Sequence, residues 1–274
     1  MPNMRIINKN LSSLSFLSAD EEDLSIDNLS DDIKTNPWRS TTTNPTITVE
    51  FQNPQLLSAF VLAFSNLTAT ATFTVSGFTL FDDVVPVFNT GAVLCCPSGP
   101  ISSHMFGIEY EGIDSVSIGG GAYAVSWFSE TSVERLEVEI NDVNNTMGYI
   151  EAGGLIVGKY WEAKVNADYG AKISYEDRSV VSRTEAGDSI VDRGTTSKSV
   201  TISLSFMDDD DRRDINQIMV DNGVRFSLFA SLFPEDANSK LEQTYQLYGK
   251  ISSTMAIVNK FYSINSSSLT IEEV

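Results

Sequence analysis

From Thr46 to Phe64 the chain reads "TITVEFQNPQLLSAFVLAF". In its first six residues Ile47, Val49 and Phe51 fall on one side of an extended chain, and Thr48 and Glu50 on the other. This period of two marks a strand with one buried face. Its last seven residues, Ser58 to Phe64, are apolar almost throughout and predict a strand buried on both faces. Asn53-Pro54 predicts a turn between the two. The same alternation recurs in "RLEVEI" (Leu136, Val138, Ile140 inward) and in "SVTISLSF" (Val200, Ile202, Leu204, Phe206 inward). "TATFTVSGFTLF", from Thr70 to Phe81, is a less regular fourth strand region. Asn44-Pro45, Ser98-Gly99-Pro100 and Gly119-Gly120-Gly121 punctuate these runs as turns. The pattern predicts a mostly β protein.

One helix stands out, in "MDDDDRRDINQIMVDNG". Asp208 suits the N-cap, and Asp209, Asp210 and Asp211 complement the positive end of the helix dipole. Ile215, Ile218 and Met219 follow at helical spacing, and Gly223 suits the position after the last turn. The chain thus divides into an N-terminal arm (1–20), a jelly-roll β-sandwich (21–162), and a second β-sandwich or barrel (163–274) with this short helix and a long hairpin. No low-complexity linker separates the last two, so they should pack tightly, and no internal repeat is present.

The 274 residues are 42% hydrophobic, enough to bury a sizeable core. Eighteen basic residues face 37 acidic ones, a formal net charge of −19. Such a surface repels phosphate, so sequence-specific nucleic-acid binding is not expected. No stretch reaches the roughly 18–20 apolar residues of a membrane helix, so no membrane insertion is expected. The first residues lack a compact apolar core, so no secretory signal is read. Cys95 and Cys96 are adjacent, a placement that strains a mutual disulfide and suits a reducing cytoplasm.

Candidate chemistry is sparse, and the expectation is no enzyme, no cofactor and no metal. The single histidine, His104, stands beside Ser102 and Ser103, but adjacency in sequence does not make a triad. One His and two neighbouring Cys give no zinc ligand set. Asp208 to Asp211 lack the alternate-position spacing of a calcium loop, and helix capping explains them. In "DVNNTMGYIE", Gly148 falls one place late for an EF-hand. The glycine triplet at 119–121 has no Lys-Ser/Thr after it and is no phosphate loop. Asn66-Leu67-Thr68 and Asn265-Ser266-Ser267 match the glycosylation sequon, which without secretion is coincidence. Tyr110, Tyr123, Trp127 and Phe128 lie in one region. They read as sandwich core or, as the rival, as an aromatic-lined sugar groove.

Two groups of residues carry a family resemblance. The first begins with a loose acidic lead through Asn28-Leu29. Trp38-Arg39-Ser40, an alternating strand, and an apolar strand ending in Asn66-Leu67 complete it. The second runs through Gly154, Leu155, Gly158, Tyr160 and Trp161; Tyr169-Gly170; Glu176-Asp177-Arg178-Ser179; and Val191-Asp192-Arg193-Gly194. In this order they resemble the tail-tip and baseplate structural proteins of tailed bacteriophages, distal-tail-like, with a discoidin- or galactose-binding-like jelly roll. One departure is Gly153-Gly154, where that family has Gly-Arg before the Leu. The resemblance implies a virion scaffold made in the host cytoplasm. It implies a homo-oligomeric ring, expected as a hexamer, against tail tube, hub and other baseplate proteins, with a host glycan as a further partner. The alternative is a carbohydrate-binding module for host surface glycans. The structural and assembly candidates are Trp38, Arg39, Tyr160, Trp161, Asp177, Arg178, Asp192 and Arg193. Trp38 should plug one end of the sandwich, and Arg39 should pair with carboxylates of the acidic lead. The polar segment from Tyr175 to Lys198 should be a hairpin that reaches a neighbouring subunit.

Overall fold

The computed structural model describes residues 2–95, 122–192, 194, 196–235, 239–252, 256–261 and 264–274. Cys96, Ser98, Gly99, Pro100, Ser102, Ser103, His104, Tyr110, the glycine triplet at 119–121 and Arg193 lie outside the described residues. The chain forms mostly antiparallel β-structure in two main sheets.

The first sheet contains β2 (Ser15–Ala19), β4 (Thr46–Ser65), β5 (Thr72–Phe78), β6 (Phe88–Asn89), β7 (Val93–Leu94), β8 (Ala122–Asn141) and β10 (Gly154–Gly158). β4 and β8 are each 20 residues long and pair along most of their length. Register shifts at Glu50/Gln55 and Leu57/Ala59 bend this pair. The N-terminal half of β4 takes β2 on its other side, and the C-terminal half takes β10. The expected turn at Asn53-Pro54 is therefore an irregularity inside one long strand. A proline can sit there because a bulge has no ladder bond to lose. Ile47, Val49, Phe51, Leu57, Phe60, Leu62, Phe73, Val75, Leu136, Val138 and Ile140 form the core of this jelly-roll body.

The second sheet contains β1 (Arg5–Ile7), β11 (Tyr160–Glu162), β12 (Lys172–Asp177), β15 (Thr196–Met207), β16 (Leu228–Ser231), β17 (Gln246–Ile251), β18 (Val258–Phe261) and β19 (Ile264–Glu273). Its order is β11-β1-β16-β17-β19-β15-β12, with β18 also on β19. Helix α1 (Asp209–Asn222) packs Ile215 and Ile218 on a core of Met4, Ile6, Val200, Ile202, Leu204, Met207, Leu269 and Ile271. Asp208 caps α1 by accepting the Asp211 N–H at 2.8 Å, and Gly223 closes it at φ +49° with its N–H on the Met219 carbonyl. A second short helix, α2 (Ser239–Thr244), was not legible in the sequence.

Three expectations shift. Residues 5–7 are no free arm but lie between β11 and β16 in the second sheet, and residues 15–19 are a jelly-roll strand. Tyr160–Glu162 also belongs to the second sheet, so the jelly-roll body is inserted between β1 and β11. Finally, Phe206 points to solvent. A register shift between Leu204 and Met207 inserts a residue, and Met207 takes the inward position instead.

Ser58 to Phe64 is buried on both faces, as its composition demanded. Leu57, Phe60 and Leu62 face the jelly-roll core, while Ala59, Val61 and Ala63 face the second body. There they meet Ile7, Tyr123, Ile156, Phe229 and Tyr248, a third apolar cluster that joins the two bodies. Arg5 reinforces the joint. It is 7% exposed, bonds Glu162 and Glu235 at 2.9 Å each, and stacks between Trp127 and Tyr160.

Candidate functional site: an assembly arm and an interbody cleft

β12 and β15 continue past the sheet as a separate two-stranded hairpin, β13 (Val180–Arg183) and β14 (Ser189–Asp192). Its tip is the loop Thr184 to Asp188. There Gly187, at φ +90°, donates to the Thr184 carbonyl, and the Asp188 N–H meets the Thr184 hydroxyl. The arm has a built joint at its root. The Ser179 N–H donates to Asp177 and the Gly194 N–H donates to the Ser179 hydroxyl. A Cβ at Gly194 would stand 2.4 Å from the Arg178 carbonyl, so only glycine lets the two strands approach there.

All eight residues of β13 and β14 are exposed. The register pairs Val181 with Val191 on one face and puts Val180 and Ile190 on the other. These four are 52–64% exposed, so both faces of the arm carry apolar surface with no core behind it. Among the described residues, Arg178, Arg183, Glu185, Asp188 and Asp192 have no ion pair within the chain. Two-stranded hairpins are marginal alone in water. β12, at whose end the arm springs, is an edge strand of the second sheet, so its outer backbone groups face no described strand.

The eight candidates separate into three groups. Trp38 is fully buried in the jelly-roll core, on β3 (Trp38–Arg39), which pairs with β9 (Glu151–Ala152). Arg39 bonds Glu151 at 2.7 and 2.9 Å and stacks on Tyr149, with Asp23 of the acidic lead 3.8 Å away. Tyr160 and Trp161 point to opposite sides of β11. Tyr160 packs edge-on to Trp127 in the joint, and Trp161 packs against the second core. Asp177 and Arg178 lie at the arm's root and Asp192 on its return strand; Arg193 is outside the described residues. The sequence did not single out Val180, Val181, Ile190 and Val191, although their alternation is visible in it.

Of the aromatic group, the described members Tyr123, Trp127 and Phe128 do not form an exposed row. Tyr123 is buried between the bodies, and its hydroxyl accepts the Tyr248 N–H at 3.2 Å. Phe128 stacks on Phe88 with ring centres 4.5 Å apart, half-buried against the jelly-roll core. These two rings and Trp127 line an open cleft of about 440 Å³ between the bodies, whose opposite wall is Glu235, Glu242, Gln243 and Gln246. Its carboxylates Glu235 and Glu242 are engaged: Glu235 by Arg5, and Glu242 by the Glu235 N–H and the Gln246 amide. Glu235 holds a left-handed backbone at φ +55°, uncommon for a side chain with a Cβ. Among the described residues, no three His, Cys, Asp or Glu side chains gather as a metal-ligand set. Among the described residues, no helix is long and apolar enough to cross a membrane.

No protein-family model and no curated protein matches the chain. Solved structures do. A Ruminococcus gnavus GH29 fucosidase in complex with fucose matches at 11% identity and TM-score 0.39, over 57% of this chain. The chain spans only 28% of the fucosidase's length. Chitosan-binding module 1 of a Paenibacillus sp. IK-5 chitosanase/glucanase matches at 16% identity and TM-score 0.37, over 54% of this chain and 98% of the module. A lectin domain of lectinolysin complexed with Lewis B antigen matches at 10% identity and TM-score 0.38, over 55% and 96%. None of these TM-scores reaches 0.5, so no residue or ligand is carried from those proteins to this chain.

Proposed function

We propose that the protein is a non-catalytic scaffold subunit that assembles with copies of itself through the β13–β14 arm. The single observation that supports this is an arm with apolar side chains exposed on both faces, mounted at the open edge of a sheet. Docking of the arm on a different surface of the next copy would be a head-to-tail contact, which can close into a ring. The mixed charges of Arg178, Arg183, Glu185, Asp188 and Asp192 suit pairing with an identical neighbour. Exposed pairs contribute only about 0–1 kcal/mol each, so burial of the four aliphatic residues must supply most of the affinity. Placement in the tail tip of a bacteriophage virion, against tube and hub proteins, is the finer form of this reading and rests on the sequence resemblance. Deleting residues 180–190 should leave a folded monomer. Light scattering coupled to size-exclusion chromatography measures this, and rings formed by the deleted chain would refute the arm as the assembly element.

The interbody cleft favours a second reading, in which the protein binds carbohydrate. Arm and cleft share no residue, so a ring could carry such sites.

A further inference from the structure

The arm leaves the second sheet at β12, and an open groove of about 690 Å³ lies at the sheet's other end, along β11. The strand order puts six spacings between β12 and β11. At about 4.8 Å each, that is roughly 29 Å along the sheet, while a four-residue arm strand spans about 14 Å. Leu11, Leu56, Trp161 and Ile218 give the groove its apolar lining. Leu56, beside the irregularity of β4, is 53% exposed, so nothing described covers it. Three of the groove's charges are matched within the chain: Lys159 by Glu130 at 2.7 Å, Glu162 by Arg5 at 2.9 Å and Asp214 by Arg213 at 3.5 Å. Lys9, exposed in the same wall, has no ion pair among the described residues.

We infer that this groove seats the β13–β14 arm of a second copy of the chain. This deepens the assembly reading and rests on it. Val180 opposes Asp192 and Ser182 opposes Ile190, so Val180, Ile190 and Asp192 share one face of the arm. That face brings two aliphatic side chains and a carboxylate to an apolar lining with one unmatched cation, Lys9. The other face carries Arg183 with Val181 and Val191 and would set like charge against Lys9. It suits the α1 wall instead, where Asp214 and Gln217 stand. All eight arm residues are exposed, so a chain's own arm does not fill its own groove. The interbody cleft is a poorer seat. Its described walls hold Glu235 and Glu242 and no lysine or arginine, against an arm that bears Glu185, Asp188 and Asp192. With arm and groove at opposite edges of one sheet, each copy gives its arm to the next and receives one from the copy before.

The test uses the full chain, with light scattering after size-exclusion chromatography over a dilution series. Lys9→Glu and Asp192→Lys should each raise the concentration needed for assembly about tenfold, since an attraction becomes a repulsion. The double variant should recover toward the wild type. Lys9, Leu56 and Asp192 are all exposed, and melting temperatures check that the variants fold. A mixing experiment then reads the polarity of the contact. The chain lacking residues 180–190 keeps the groove without the arm, and Lys9→Glu with Leu56→Lys keeps the arm but blocks the groove. Neither should assemble alone, and the mixture should form a heterodimer and nothing larger. If deleting the arm abolishes assembly but the groove variants assemble like the wild type, or the mixture stays monomeric, the arm seats elsewhere. This inference then fails while the assembly reading stands. If the deleted chain assembles as the wild type does, or the wild type does not assemble, both fail.

Discussion

Lys198 offers a prediction whose size can be worked from the structure. It lies on β15, 7% exposed, opposite Tyr175 of β12, and its Nζ donates to the Gln246 carbonyl at 2.9 Å. Its own N–H donates to the Glu273 carboxylate at 3.0 Å. Burial pushes its ammonium down from 10.5 to about 8, and the charge of Glu273 only partly restores it. The folded chain therefore releases this proton at lower pH than the unfolded chain does. Between pH 8 and 10.5 the unfolded state holds more protons, so stability must rise with pH in that window. At about 1.4 kcal/mol per pH unit, the gap corresponds to roughly 3 kcal/mol. Below pH 8 the full cost of the buried charge remains. Lys198→Met removes that cost but leaves the Gln246 carbonyl without a donor, itself about 1–3 kcal/mol. Near pH 7 the two proteins should then differ by only about 2 kcal/mol in either direction. The diagnostic quantity is how that difference changes with pH. Denaturant unfolding of both proteins from pH 7 to 10.5 should show the wild type gaining roughly 3 kcal/mol on the variant. Tyr123, Tyr175 and Tyr248 are raised by burial, but both proteins carry them and their contributions largely cancel. A difference that stays flat, or falls, across this window would refute the buried-charge argument.

Trp38→Ala should cost on the order of 3–5 kcal/mol, because it empties a large site in the jelly-roll core. Thermal unfolding reports it, and an unchanged melting temperature would mean that Trp38 serves a ligand instead. Asp208→Ala removes the α1 cap and a 2.6 Å contact to Lys164, and should lower the melting temperature by about 2–4 °C. Lys164 and the Asp211 N–H hold the Asp208 carboxyl below its usual range. Its contribution is therefore present at neutral pH and lost as pH falls through the lowered value, so wild type and variant should converge in acid. A gap that persists unchanged in acid would refute the assignment.

How much of this was legible in the sequence depended on the distance over which each signal acts. Alternation in "TITVEF" and "RLEVEI" marks faces correctly, since each strand reports its own burial. The uniform apolarity of Ser58 to Phe64 likewise reports its two buried sides. Phe206 was misassigned because a bulge is set by the partner strand, not by the strand that carries it. β1, three residues long, is too short to show any period. Asp208 announced itself as a cap, but nothing in the local sequence places Lys164 against it. The cleft was the least legible feature. Its walls come from separate segments around Phe88, Trp127, Glu235 and Gln246, and no spacing links them. Of the aromatic group, Trp127 and Phe128 reach the cleft, while Tyr123 is taken by the joint between the bodies.

The insertion of the jelly roll has a consequence for how such a chain can diversify. The segment leaves the second sheet at Ile7 and returns at Tyr160, and these two residues are direct register partners on adjacent antiparallel strands. Their Cα atoms should stand about 4.5–5.5 Å apart. Excision of everything between them leaves a gap that a tight turn can close, with the β1–β11 ladder still in register. The jelly roll is in this sense an exchangeable cassette on a dock of fixed register. A different module could replace it without altering the strand order, the helix or the arm, provided it presents small apolar residues where Ala59, Val61 and Ala63 now meet Phe229 and Tyr248. The double attachment together with that buried contact, rather than either alone, holds the cassette at a fixed attitude to the sheet.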